Sequence, residues 1–208
     1  MVVGDIASGT DVLVIGGGPG GYVAAIRAGQ LGLDTTLVER DAIGGVCLNR
    51  GCIPSKALIS ATDVAHEAAH AEELGITADP DVDVGAMVDW KQGVVEQLTG
   101  GVESLLEAAG VNVMTGRAEF AGENRARVVS SGEGEGAETV EFERAIVATG
   151  SRPIELPGFA YGEGPVIDSA AALELEAAPD RLVVVGAGYI GMELSTVFAK
   201  LGSDVTVV

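Results

Sequence analysis

Cys47 and Cys52 are the only cysteines in the 208 residues, and they stand as Cys47-Leu48-Asn49-Arg50-Gly51-Cys52 directly after Gly44-Gly45-Val46. The first charge of the chain is Asp5, and no basic stretch precedes an apolar run. No secretory signal is therefore visible, and a cytoplasmic location is expected. In that compartment a close cysteine pair is rarely a structural staple, which leaves metal binding or redox exchange. A structural zinc needs four ligands, and the only histidines are His66 and His70. Those two, four positions apart, could chelate a metal, but a solvated helix face explains them better, and no metal site is assigned. Redox exchange needs one thiol within reach of a substrate and one held beside an electron-transfer partner, and a nearby helix N-terminus favours the thiolate form. The pair reads as catalytic.

The elements around the pair carry a second chemistry. Val12-Leu13-Val14-Ile15 is a short apolar run that stops in Gly16-Gly17-Gly18-Pro19-Gly20-Gly21. This is a G-x-G-x-x-G pattern between a strand and a helix expected to begin near Gly20. Gly16 permits the tight turn, Gly18 lets backbone approach a pyrophosphate, and Gly21 lets helix and strand pack closely. The helix N-terminus then faces the anion. A second strand over 35–38 ends at Glu39, an acid able to accept hydrogen bonds from a ribose. The arrangement returns later: an apolar strand over 181–185, the turn Gly186-Ala187-Gly188-Tyr189-Ile190-Gly191, a helix over 192–201 and a strand over 204–208. Glu39 follows Gly16 by 23 residues, and the same offset from Gly186 falls at 209. The second unit is thus expected to be incomplete and the chain a fragment. Two dinucleotide loops in one polypeptide suggest electrons passing between two cofactors, and Gly191 in place of a bulkier residue favours NAD over NADP.

Between the loops, residues 56–74 and 86–109 read as helices, the second with an apolar face of Met87, Trp90, Val94, Leu98, Val102, Leu105 and Leu106. Five short β pieces are expected over 111–114, 117–120, 126–129, 139–142 and 145–148, with a solvated hairpin turn over 130–136. The fold expected is α/β: a dinucleotide-binding domain over 1–150, a Pro- and Gly-rich connection over 151–168, and the first βαβ unit of a second domain over 169–208. Twelve Lys and Arg against 31 Asp and Glu give a formal charge of −19, which repels nucleic acid and anionic membrane surfaces. Only Lys56, Lys91 and Lys200 are lysines, a surface suited to solubility in high salt. No apolar stretch reaches the length of a membrane-spanning helix.

The segment Gly44-Gly45-Val46-Cys47-Leu48-Asn49-Arg50-Gly51-Cys52-Ile53-Pro54-Ser55-Lys56-Ala57-Leu58 resembles the active-site segment of the pyridine-nucleotide disulfide oxidoreductases. Val46 and Ile53-Pro54-Ser55-Lys56-Ala57-Leu58 point to the dihydrolipoyl dehydrogenase branch of that family, while Arg50 stands where the branch often has Val. The resemblance extends through Trp90-Lys91, Leu98-Thr99-Gly100-Gly101, Ala148-Thr149-Gly150-Ser151-Arg152-Pro153 and Gly188-Tyr189-Ile190-Gly191-Met192-Glu193. It implies a Rossmann-like FAD-binding domain with an inserted β-meander, followed by the start of a Rossmann-like NAD-binding domain.

The same resemblance implies site roles. Cys52 lies against the flavin as a charge-transfer thiolate, Cys47 is the interchange thiol, and Lys56 sits near the flavin and pairs with Glu193. FAD is held by Gly16, Gly18, Gly21, Glu39, Gly44, Gly45, Lys56, the backbone near Ala118, Thr149, Gly150 and Ser151. NAD is held by Gly186, Gly188, Tyr189, Ile190, Gly191 and Glu193. The implied reaction oxidises dihydrolipoamide through the cysteine pair and FAD to reduce NAD. Its partners are the lipoyl group of a 2-oxo acid dehydrogenase or glycine cleavage complex and a second copy of the full-length chain. The family's C-terminal dimerisation domain carries a His-Glu base, so these 208 residues alone are expected to lack lipoamide turnover. Mercuric reductase, or another flavoprotein disulfide reductase, is the enzymatic alternative, and an FAD-holding module without catalysis is the other.

Overall fold

The computed structural model of the protein describes residues 7–130, 136–162 and 164–208. By contacts it divides into two compact units, Met1–Asn49 with Gln97–Ser151, and Arg50–Glu96 with Arg152–Val208.

In the first unit, β1 (Ala7–Ile15), α1 (Pro19–Gln30) and β2 (Thr35–Glu39) form the expected βαβ opening. Val12, Leu13, Val14 and Ile15 are all buried, as in a parallel strand covered on both faces. A short α2 (Gly45–Arg50) follows, and beyond the long α4 (Val84–Ala108) come β3 (Asn112–Gly122), β4 (Arg125–Ser130) and β5 (Ala137–Val147). The strands close in a ring in which β5 returns to run parallel to β1. The five short β pieces expected are therefore three strands. β3 runs parallel to β2 from Asn112 to Thr115, then antiparallel to β4 from Gly116, so the break in its pattern marks a change of partner and not a turn. Gly116 sits at that change, where a Cβ would lie 2.5 Å from the Val129 carbonyl oxygen. The expected hairpin turn falls on 131–135, outside the described residues, with Ser130 N–H donating to Gly136 O beside it. Leu13, Ile15, Val38, Ala126, Val128, Val140 and Phe142 fill the core.

The second unit contains α3 (Cys52–Ala69), a 3-10 turn (Glu72–Leu74), the first half of α4, α5 (Ser169–Ala172), β6 (Arg181–Val184), α6 (Tyr189–Lys200) and β7 (Asp204–Val207). The helix expected over 56–74 opens four residues earlier, at Cys52, and stops at Ala69 with His70 as its cap. α6 likewise begins at Tyr189, three residues before the expected start. Leu58, Leu173, Leu194, Val197 and Phe198 make the core of this unit. Among the described residues no helix is long and apolar enough to cross a membrane.

The buried stripe of α4 is shifted from the expected one. Val88, Lys91, Val95, Val102 and Leu106 are buried, whereas Trp90, Leu98 and Leu105 are exposed. The stripe rule assigns a lysine to solvent, yet Lys91 is fully buried. Its ammonium donates to Leu173 O at 3.0 Å and to Glu174 Oε1 at 2.6 Å, so the charge is matched by a helix-end carbonyl and a carboxylate. Lys91→Ala removes the stem and leaves those acceptors unmatched, at an expected cost of about 2–4 kcal/mol. Lys91→Met keeps the stem and costs less. Denaturant midpoints of the two variants check that order.

Candidate active site

Three segments of the first unit meet at the first glycine turn. Gly16 has φ +104°, and a Cβ there would lie 2.2 Å from Ala148 O and 3.2 Å from Thr149 Cα. A Cβ on Gly21 would lie 1.6 Å from Gly16 O, and one on Gly45 would lie 2.6 Å from Gly18 Cα. Gly44 N–H donates to Gly17 O at 2.8 Å, which pins the segment carrying Gly44 and Gly45 to the turn. The residues expected at 16–21, 44–45 and 149 are thus gathered, and at Gly16, Gly21 and Gly45 only hydrogen fits against the neighbouring backbone. Gly18 caps α1, whose positive end faces the turn. Glu39 accepts from Gly17 N–H at 2.6 Å with one oxygen and from Asp41 N–H at 2.8 Å with the other. A carboxylate has about four lone-pair sites, so capacity for a ribose hydroxyl remains. Gly150 (φ +69°) and Ser151 follow Thr149 and are exposed. Ala118 lies on β3 opposite Val128, three residues past the last pairing with β2, and packs against the ring core.

The second glycine turn repeats this geometry inside the second unit. Gly186 has φ +114°, a Cβ on Gly191 would lie 2.1 Å from Gly186 O, and Gly188 caps α6. Val12 pairs with Thr35 and Arg181 with Asp204, 23 positions apart in each case. Gly16 N–H donates to Val38 O and Gly186 N–H to Val208 O, both at 2.8 Å. Tyr189 and Ile190 are exposed at the start of α6.

Cys47 is half-buried on α2, and Cys52 is the exposed first residue of the 18-residue α3; both are thiols. Position one of a long helix lies at the positive end of its dipole, where negative charge is stabilised. One turn on, Lys56 Nζ donates to Glu193 Oε1, joining α3 to α6. Sequence reasoning missed the residue beside it. Ser55 is buried, and its hydroxyl lies 3.1 Å from Cys52 O and 3.4 Å from Glu193 Oε2. Both partners are acceptors and the hydroxyl has one proton, so Ser55 shares it between the helix turn of Cys52 and the carboxylate that holds Lys56. The position next to Lys56 and three after Cys52 was the available signal.

The Lys56 and Glu193 side chains keep 58% and 29% of their surface exposed, so the pair adds little to stability. Glu193→Gln is expected to cost about 1 kcal/mol or less and to move the thermal midpoint by no more than about 4 °C. A calorimetric scan checks this. What the pair supplies is a cation held in one position one turn from a thiol.

The model of the pyridine nucleotide-disulphide oxidoreductase family matches residues 10–208. Dihydrolipoyl dehydrogenase of Halobacterium salinarum is 71% identical over all 208 residues, which cover 44% of that protein. The protein of the same name from Geobacillus stearothermophilus is 53% identical over the whole chain, covering 43% of its length. The crystal structure of LpdA from Mycobacterium tuberculosis superposes with a TM-score of 0.86 at 28% identity, over 95% of this chain and 44% of that one. The HOCl-induced flavoprotein disulfide reductase RclA from Escherichia coli gives 0.79 at 27% identity, over 95% of this chain and 41% of that one. The chain thus spans less than half the length of the curated relatives it matches. Its two glycine turns, its cysteine segment and these matches make it a member of the pyridine nucleotide-disulphide oxidoreductase family.

Proposed function

We propose that the protein works as a dihydrolipoyl dehydrogenase, in which Cys47 and Cys52 accept two electrons from a dihydrolipoyl dithiol and pass them through FAD to NAD. The observation that carries this reading is the cluster on α3 and α6: Cys52 at a helix start, Ser55 bonded toward it, and Lys56 held by Glu193. The first glycine cradle fits the pyrophosphate of FAD, with Glu39 on the ribose and Thr149, Gly150 and Ser151 beside it. The backbone near Ala118 completes that assignment. The second cradle, with Gly186, Gly188, Tyr189, Ile190 and Gly191, fits NAD. Residues 1–150 are assigned to the FAD domain and 169–208 to the start of the NAD domain.

The oxidised pair is a Cys47–Cys52 disulfide. A lipoyl thiolate attacks Cys47 Sγ, the S–S bond breaks, and Cys52 leaves as a thiolate at the helix start. The second lipoyl thiol then displaces Cys47, its proton passing to the departing Cys47 sulfur, so the lipoyl ring closes and the pair holds the two electrons, Cys47 as thiol and Cys52 as thiolate. When bound, FAD supplies two-electron acceptance from the thiols and hydride delivery to the nicotinamide. Lys56 holds positive charge close to Cys52, and Glu193 with Ser55 fixes its position. The lipoyl group belongs to a 2-oxo acid dehydrogenase or glycine cleavage complex, the working enzyme is a homodimer, and it acts in the cytoplasm.

The test is a substrate comparison on the protein extended to the length of its relatives. Dihydrolipoamide with NAD should be the fastest pair, well ahead of NADP, glutathione disulfide or Hg2+. Turnover of Hg2+ in preference to lipoamide would move the chain to the mercuric reductase branch. Bound flavin without thiol-dependent turnover would make it a passive flavin module.

A further inference from the structure

We propose that His66 and His70 form a chelating site for a divalent transition-metal ion, Cu2+ above all, at the C-terminal end of α3. His66 lies in the last turn of the helix and His70 is its cap, and their rings stand 4.2 Å apart with a tilt of 37°. Spacing alone does not say which ring nitrogen of His70 is available, but one contact does. His70 Nδ1 is 2.8 Å from His66 O. A carbonyl oxygen only accepts, so Nδ1 carries the proton and the lone pair of the neutral ring sits on Nε2. A backbone carbonyl fixes metal-bound imidazoles in this same way, by holding the second ring nitrogen as a donor.

The surroundings admit a hydrated cation. Both histidines are exposed and line an open groove of about 640 Å³ with Ser195, Thr196 and Lys200, leaving room for water to complete the coordination. Lys200 is the cation of that lining, and its ammonium is already bonded to Asp63. Glu67 stands beside His66 in sequence, Glu72 and Glu73 form the following 3-10 turn, and the chain as a whole carries a formal −19. Imidazole pairs select Cu2+, Ni2+ and Zn2+ over Mg2+ and Ca2+, and within that series Cu2+ binds most tightly. With two protein ligands the site is an exchangeable one, not the closed four-ligand site of a structural zinc.

The thiols would compete for these ions, so the experiment uses protein with Cys47 and Cys52 alkylated by iodoacetamide. Cu2+ alone is titrated by calorimetry, and its nitrogen coordination is read by electron paramagnetic resonance. One Cu2+ per chain with two imidazole nitrogens is expected, with affinity falling at least about tenfold and one nitrogen lost in each of His66→Asn and His70→Asn. Circular dichroism of the metal-free variants, with melting unchanged, shows that the loss is not one of folding. Cu2+ bound as tightly by both variants as by the parent, or no two-nitrogen coordination in the parent, overturns the proposal.

Discussion

Cys52→Ser is expected to lower dihydrolipoamide turnover by more than about a thousandfold in the protein extended to the length of its relatives, because serine can neither form the disulfide nor leave as a thiolate. Cys47→Ser does the same for a different reason: the sulfur that the lipoyl thiolate attacks is gone. Neither change should disturb the fold. Cys52 is exposed at the start of α3, Cys47 is half-buried on a six-residue helix, and sulfur to oxygen shrinks each side chain only slightly. Steady-state rates beside melting curves separate lost chemistry from lost structure. A variant that turns over within tenfold of the parent would remove the pair from the reaction.

The second large effect is at Gly21. Gly21→Ala brings a methyl group to 1.6 Å from Gly16 O, a backbone atom that can move only by opening the turn. Overpacking of this kind costs about 3 kcal/mol, and here it strikes the turn assigned to the FAD pyrophosphate. Flavin content should fall with stability. Gly20→Ala is the control, since a Cβ there meets Ala148 Cβ at an ordinary 3.7 Å. Flavin stoichiometry after purification and denaturant midpoints for the two variants should diverge sharply. Equal flavin retention would show that the cradle tolerates a side chain and that its closeness is not what holds the cofactor.

What the sequence made legible was what local backbone dictates. The two glycine turns were readable because a positive φ and a carbonyl against the third glycine admit no side chain, and the register of 23 repeats in both strand pairs. What escaped depends on neighbours distant in sequence. The breaks within β3 and β5 looked like turns because pairing changes there: β3 passes from β2 to β4 at Gly116, and β5 stays on β1 but loses β4 after Glu141, its residues being exposed from Glu143 onward. Lys91 escaped because no rule of periodicity puts an ammonium in a core stripe; only the Leu173 carbonyl and Glu174, more than eighty residues away, make that position tenable. Ser55 was readable as part of a motif, but its link to Glu193 spans 138 positions. The grouping of residues 50–96 with 152–208 is likewise a matter of tertiary contact that no local pattern announces.

The proposed reaction gives the two sulfurs unequal jobs, thiol exchange with substrate for Cys47 and contact with flavin for Cys52. Anaerobic absorption spectra of the FAD-loaded protein, recorded with one equivalent of dihydrolipoamide and without NAD, test that inequality directly. The parent should develop a long-wavelength charge-transfer band, Cys47→Ser should show the band before any reductant is added, and Cys52→Ser should never show it. A band that survives in Cys52→Ser, or one that requires Cys47, would contradict the assignment.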